Sequence, residues 1–213
     1  MVALLTPGTV EVAATVIKWA REFLATGHPD MRRPGRNQVV CPFVGASLDN
    51  NSFYLSIHPE ISGKDEEQIE SLVLDQIEAF KHLGPFAPCD RTRKALLLVF
   101  PGLSDDQARV LDIVHANIKT RVVENGLMIG QFHKHCEEGS VYNRAFRVSQ
   151  SPVPLIAIRH MAVHDILFCS EDRKWFDTYN LHFGKKFGPR ADLEAYNSHL
   201  VEHYARAKER WQP

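Results

Sequence analysis

Ala95-Leu-Leu-Leu-Val-Phe100 is an unbroken apolar run, and it stops at Pro101-Gly102. Short apolar runs between turn residues are typical of strands that are buried on both faces of a sheet. This run therefore predicts a central strand, against which the remaining elements of the chain pack.

Amphipathic patterns predict a helix on each side of this strand. In residues 64–83 the apolar positions recur at intervals of three and four behind an acidic first turn, and Gly84-Pro85 ends the pattern. After the strand, Ser104 is placed to cap a helix that continues to about Glu124. Three more helical patterns cover residues 11–26, 172–183 and about 191–210.

Shorter apolar runs predict the other strands. Phe53–Ile57 has strand composition, Pro152-Val-Pro-Leu-Ile-Ala-Ile-Arg-His160 contains a second buried strand, and residues 39–44 indicate a loop that enters a short strand. These elements predict an α+β fold, with a small mixed sheet covered by several helices. We expect a single domain over residues 1–213, with its core at about 10–185 and a C-terminal helix at about 191–210.

The composition excludes several classes of protein. The 213 residues carry 25 Lys and Arg against 26 Asp and Glu, so neither nucleic acid nor an anionic membrane is an expected partner. No apolar run approaches the ~20 residues of a membrane helix, and the N-terminus lacks a signal-peptide pattern. The four cysteines are widely spaced without C-x-x-C, which favours reduced thiols. We expect a cytoplasmic protein with a small-molecule substrate, and homodimerisation is left open.

Histidine is the one unusual feature of the composition, with 11 residues, several of them among apolar residues in the middle third. Imidazole is the commonest metal ligand in proteins. In Gly126-Leu-Met-Ile-Gly-Gln-Phe-His133-Lys-His135-Cys136-Glu137, an extended chain would place His133 and His135 on the same face. This cluster predicts a site for a metal or a cofactor. The alternative is that one histidine packs in the core and the other lies in a solvated loop.

Two further segments carry candidate cofactor contacts. In Cys41-Pro42-Phe43 the proline would redirect the chain and leave a thiolate projecting toward haem iron; the alternative is a buried structural cysteine. At the end of the late strand, Arg159 could clamp a carboxylate or a haem propionate, and His160 or His164 could bind a metal. The alternative there is an ion pair between Arg159 and Asp165, with both histidines partly exposed.

Three segments carry a resemblance to a known family: Arg33-Pro-Gly35 with Val40-Cys-Pro-Phe-Val44, Gly126-Leu-Met-Ile-Gly-Gln-Phe-His133, and Ser151-Pro-Val-Pro-Leu-Ile-Ala-Ile-Arg-His-Met161. Together they resemble a bacterial and cyanobacterial family that is often found near natural-product genes and is catalogued as a domain of unknown function. More distantly, the order of elements is similar to the YqcI/YcgG family, some of whose members are haem-dependent enzymes that hydroxylate guanidine nitrogens.

The resemblance implies a haem cofactor and a set of residues that would hold it. The axial iron ligand would be His133, or else His164 or His160. Four further residues of the matching segments would contact the cofactor: Cys41, Phe43, Gln131 and Arg159. Cys41 is the rival iron ligand.

Three functions remain open at the level of sequence. The leading hypothesis is a haem-dependent oxidoreductase, of monooxygenase or N-hydroxylase type, that acts on a small amino-acid-like metabolite in specialised metabolism. The second is a non-haem metal-dependent hydrolase or lyase that uses His133, His135 and Cys136. The third is a non-catalytic protein that binds a small molecule or a partner. No Walker loop, G-x-G-x-x-G, G-x-S-x-G or H-E-x-x-H motif supports other chemistry.

Overall fold

A four-stranded sheet lies at the centre of the fold. The computed structural model describes residues 6–31, 39–84, 91–141, 143–188 and 198–212. The strands are β1 (Phe53–Ile57), β2 (Ala95–Val99), β3 (Leu127–Phe132) and β4 (Leu155–His160), in the order β1-β2-β4-β3. β2 is parallel to β1 and antiparallel to β4, so the predicted mixed sheet of an α+β fold is confirmed.

The described residues contain seven α-helices, most of which the apolar spacing predicts. Their bounds are α1 Pro7–Trp19, α2 Val44–Asp49, α3 Glu66–Lys81, α4 Val110–Glu124, α5 Ile166–Cys169, α6 Arg173–Phe183 and α7 Ser198–Trp211. Side-chain caps fix several starts: Asp65 accepts a hydrogen bond from the Gln68 N–H at α3, and Asp172 accepts from two N–H groups at α6. The predicted C-terminal helix is confirmed from Ser198 onward, and its expected first residues lie outside the described ranges.

Two segments differ from their sequence patterns. Residues 39–44 do not form a strand: Val39 makes a single bridge to Gly27, and α2 begins at Val44. The backbone N–H of Cys41 donates to the carbonyl of Leu24, which follows α1, so no neighbouring strand is needed to satisfy it. The helix expected from Ser104 begins with a 3-10 turn, Gln107–Arg109, and becomes α-helical only at α4.

The chain divides into two compact units. The first comprises Met1–Ile118 and Ile129–Arg159, and the second comprises Lys119–Met128 and His160–Pro213. Each unit has a buried apolar core of its own. Of the helices that the structure describes, none combines the length and the apolar composition that a membrane span needs.

The core of the first unit joins the sheet to α1. Leu97 and Val99 of β2, which are predicted to be buried, pack with Val16 of α1 and Leu155 of β4. The second unit has an aromatic core, to which α5, α6 and α7 contribute Cys169, Phe176, Tyr179, Leu200 and Tyr204.

Candidate metal centre

Three chemically different metal ligands converge in the first unit. Asp112, His133 and Cys136 each offer one ligand atom, and these atoms all lie within 4.8 Å of one another. Asp112 is in the first turn of α4, and His133 directly follows the last residue of β3. The Cys136 N–H donates to the His133 carbonyl at 3.1 Å, which closes a turn between these two residues. Within the described ranges this is the one group of three such ligands.

His133 is fully buried, and only one of its ring nitrogens is satisfied. Its Nε2 lies 3.1 Å from both carboxylate oxygens of Asp112. Because an ionised carboxylate only accepts hydrogen bonds, Nε2 is the nitrogen that donates to Asp112, and a metal ion held by both residues would take the place of that proton. Nδ1 is buried and has no hydrogen-bond partner among the described residues. A buried polar atom of this kind costs free energy unless a water molecule or an ion satisfies it.

Cys136 is a buried thiol whose surroundings make it a poor nucleophile. Its side chain is buried, and its Sγ lies 4.0 Å from the carbonyl oxygen of Gln131. Burial raises the pKa of the Cys136 thiol, and the Asp112 carboxylate raises it further, although a backbone hydrogen bond at Glu138 opposes them. A buried thiol with a raised pKa is a poor nucleophile, whereas a bound metal ion would deprotonate it.

Asp112 connects the buried group to solvent. Its side chain is 45% exposed, and the Gln131 amide donates from Nε2 to its Oδ1 at 3.2 Å. Gln131, itself 9% exposed, therefore adds a second hydrogen bond that orients the Asp112 carboxylate. Of the three members of the group, Asp112 is the one with substantial solvent exposure.

His135 does not join His133. The β3 strand ends at Phe132, so the alternation of side chains that predicts a shared face no longer applies at these positions. The His135 side chain is 48% exposed, and its Nε2 lies 3.9 Å from Asp105 Oδ2. The same carboxylate accepts a hydrogen bond from Lys134, which is the main reason that the pKa of Asp105 is lowered.

Comparison with known proteins places this chain in a family. The model of DUF6875, a domain of unknown function, matches residues 13–194. The chain belongs to the DUF6875 family. Asp112, Gln131, His133 and Cys136 all lie inside the matched DUF6875 range. No curated protein and no solved structure matches the chain.

Three other residues that the sequence predicts as cofactor contacts in this DUF6875 chain, Arg159, Phe43 and Cys41, are not members of the Asp112 group. The guanidinium carbon of Arg159 lies 4.2 Å from the centroid of the Phe43 ring, in a cation-π contact. Cys41 packs against the apolar cluster of Ala20, Leu24 and Val44. Cys41 itself is half-buried.

His160 and His164 belong to the second unit of the DUF6875 chain, whereas His133 belongs to the first. His160 is the last residue of β4, and His164 is an exposed residue of the 3-10 turn Val163–Asp165. Asp165 is buried and accepts a hydrogen bond from the Ala162 N–H at 2.7 Å, which fixes this turn. Neither histidine is a member of the Asp112 group.

We expect Cys41 to be alkylated at least about tenfold faster than Cys136 or Cys169, because buried thiols react only when the surrounding structure opens. Cys41 is half-buried, whereas the other two are buried. Timed iodoacetamide labelling followed by peptide mass spectrometry measures each site separately. Equal labelling of Cys136 and Cys41 would contradict the burial described for Cys136.

Proposed function

We propose that this DUF6875 protein is a non-haem metal-dependent enzyme of hydrolase or lyase type, with a divalent ion held by Asp112, His133 and Cys136. The observation that carries the proposal is the convergence of a carboxylate, a buried imidazole and a buried thiol, whose ligand atoms lie within 4.8 Å of one another. The ligands come from α4, the end of β3 and the following turn, so they meet only in the folded chain.

The donor set favours zinc. Thiolate, imidazole and carboxylate are its three protein ligands, whereas magnesium and calcium prefer oxygen alone. Catalytic zinc sites characteristically use three protein ligands and keep a fourth position for water or substrate. A bound zinc ion would act as a Lewis acid at that position. The partly exposed Asp112 side chain gives a small-molecule substrate a route to the group.

Haem fits the surroundings of His133 less well than a single ion does. An axial histidine must face a flat pocket large enough for the porphyrin, so in the absence of haem one side of its ring is open. The His133 side chain is instead 1% exposed, and its Nε2 is engaged by Asp112.

The test compares metal and haem binding in one preparation. We expect the purified protein, treated with chelator and then with zinc, to retain one zinc ion per chain after desalting, as measured by plasma mass spectrometry. The same protein mixed with haemin should show no Soret band. Failure to retain zinc would overturn the proposal, and a Soret band that is lost in His133→Ala would replace it with a haem enzyme.

A second measurement separates a catalytic site from a structural one. Cobalt substituted for zinc gives a visible spectrum that depends on the number of ligands. If one position is open, azide will bind there and change the spectrum. A closed site with four protein ligands would leave the spectrum unchanged and would favour a non-catalytic protein.

Gln131→Leu should weaken zinc binding roughly 10- to 100-fold, because an outer hydrogen bond that orients a metal ligand contributes about that much to affinity. The substitution removes the amide that donates to Asp112 Oδ1 and puts an apolar side chain of similar size in its place. Competition with a chromophoric chelator measures the affinity. Gln107→Leu is the matched control, since the Gln107 side chain bonds only to Ser104 in the described hydrogen-bond network. Equal affinities of the two variants would show that Gln131 does not position Asp112.

A further inference from the structure

Two histidines lie one turn apart on α7, in the second unit. His199 and His203 are separated by four residues, which places their side chains on the same side of the helix. Their ring centroids are 4.5 Å apart, with an interplanar angle of 78°. Both residues are half-buried, and the Nε2 atom of His199 is itself buried.

The ring separation matches that of two imidazoles that share one metal ion. Each nitrogen lies roughly 2.0–2.1 Å from a bound zinc ion, which puts the two ring centroids roughly 4.5–5 Å apart for coordination angles near 90–110°. Histidines at this helical spacing supply two of the zinc ligands in the H-E-x-x-H motif. The α7 pair therefore needs little rearrangement to act as a two-nitrogen chelate.

The charges around His203 agree with this role. Burial lowers the pKa of His203, and His199 and Arg206 lower it further. The carboxylates of Glu171 and Glu202 raise the pKa of His203, and their negative charge would attract a cation. The positive charge of Arg206 is paired with Glu202 at 3.5 Å.

We propose that His199 and His203 form a second metal site, which binds Cu²⁺ or Ni²⁺ through two imidazole nitrogens. Imidazole suits these ions, and water completes the coordination. The site shares no residue with the Asp112 group and does not depend on the function proposed above.

The test uses Cu²⁺ as the probe and electron paramagnetic resonance as the measurement. In the His133→Ala protein, which lacks a ligand of the first site, we expect Cu²⁺ to bind with hyperfine coupling to two nitrogens. His203→Gln should lower the affinity roughly 100-fold, because the second imidazole on the same helix acts at a high effective concentration. His199→Gln should have the same effect.

The matched control is His182→Gln on α6, where the ring lies against Phe183. This variant should bind Cu²⁺ as the parent protein does. If His133→Ala does not fold, the same titration in Asp112→Asn replaces it. Coupling to one nitrogen, or unchanged affinity in both α7 variants, would overturn the α7 site and leave the Asp112 site untouched, because each set of substitutions affects one site.

Discussion

Replacing His133 by alanine should remove zinc from the protein, whereas replacing His135 by alanine should leave one zinc ion per chain. The two residues are separated by one position and have the same side chain, so they form a matched pair. Only His133 lies within ligand distance of Asp112 and Cys136. His135 lies beside Asp105 and is 48% exposed.

The expected loss of affinity is roughly 100- to 1000-fold for each ligand removed. Structural zinc sites with four ligands gain about 10–16 kcal/mol in total, so one ligand contributes roughly 2.5–4 kcal/mol. Competition with a chelator of known affinity measures this change for His133→Ala, and Cys136→Ser should give a loss in the same range. His135→Ala should change the affinity less than about twofold.

Asp112→Asn tests whether the loss of zinc comes from a missing ligand or from collapse of the site. His133 is fully buried, so His133→Ala could lose zinc because the site collapses, whereas the Asp112 side chain is 45% exposed and its replacement keeps the size of the side chain. Asp112→Asn should retain the helical circular dichroism of the parent protein and still lose zinc. Equal zinc content in Asp112→Asn and the parent, or loss of zinc in His135→Ala, would contradict the ligand set.

The elements that the sequence predicts well are those with a strong local pattern. The pattern in residues 64–83 corresponds to α3, Glu66–Lys81, and the apolar run that begins at Ala95 corresponds to β2. In both elements the positions that are buried in the fold are the apolar positions of the sequence pattern. Residues 39–44 are different, because they have the composition of a strand but do not form one. Backbone N–H groups of this segment donate instead to carbonyls that follow α1, and these tertiary contacts cannot be read from the local sequence.

The candidate site was only partly predictable for a similar reason. His133 and Cys136 stand out because imidazole and thiol are metal-ligand types and the two residues are three positions apart. Asp112 does not, since it is one of 26 acidic residues and no neighbouring pattern marks it as a ligand. Its contact with His133 joins positions 21 residues apart and exists only in the folded chain. A chain-wide search for a carboxylate near each histidine could not have ranked Asp112 above the other acidic residues.

Lys94→Met should lower the free energy of unfolding by roughly 2–3 kcal/mol, because it leaves two backbone carbonyls without their charged donor. Lys94 is 2% exposed, and its Nζ donates to the carbonyls of Phe80 at 3.0 Å and Leu83 at 2.6 Å. These carbonyls lie at the C-terminal end of α3, where the helix dipole favours a cation. Burial lowers the pKa of Lys94, and Arg91 lowers it further, so the ammonium group is held there at a cost that its hydrogen bonds offset.

Urea unfolding measures the effect, and Lys81→Met is the control. Lys81 is the last residue of the same helix, but its Nζ pairs with Glu78 near the surface, so we expect a change within about 0.5 kcal/mol. Methionine keeps most of the apolar volume of lysine, so a cavity does not explain a loss of stability in Lys94→Met. If both variants unfold at the same urea concentration, the Lys94 hydrogen bonds only balance the desolvation of the ammonium group, and the C-terminal end of α3 does not depend on them.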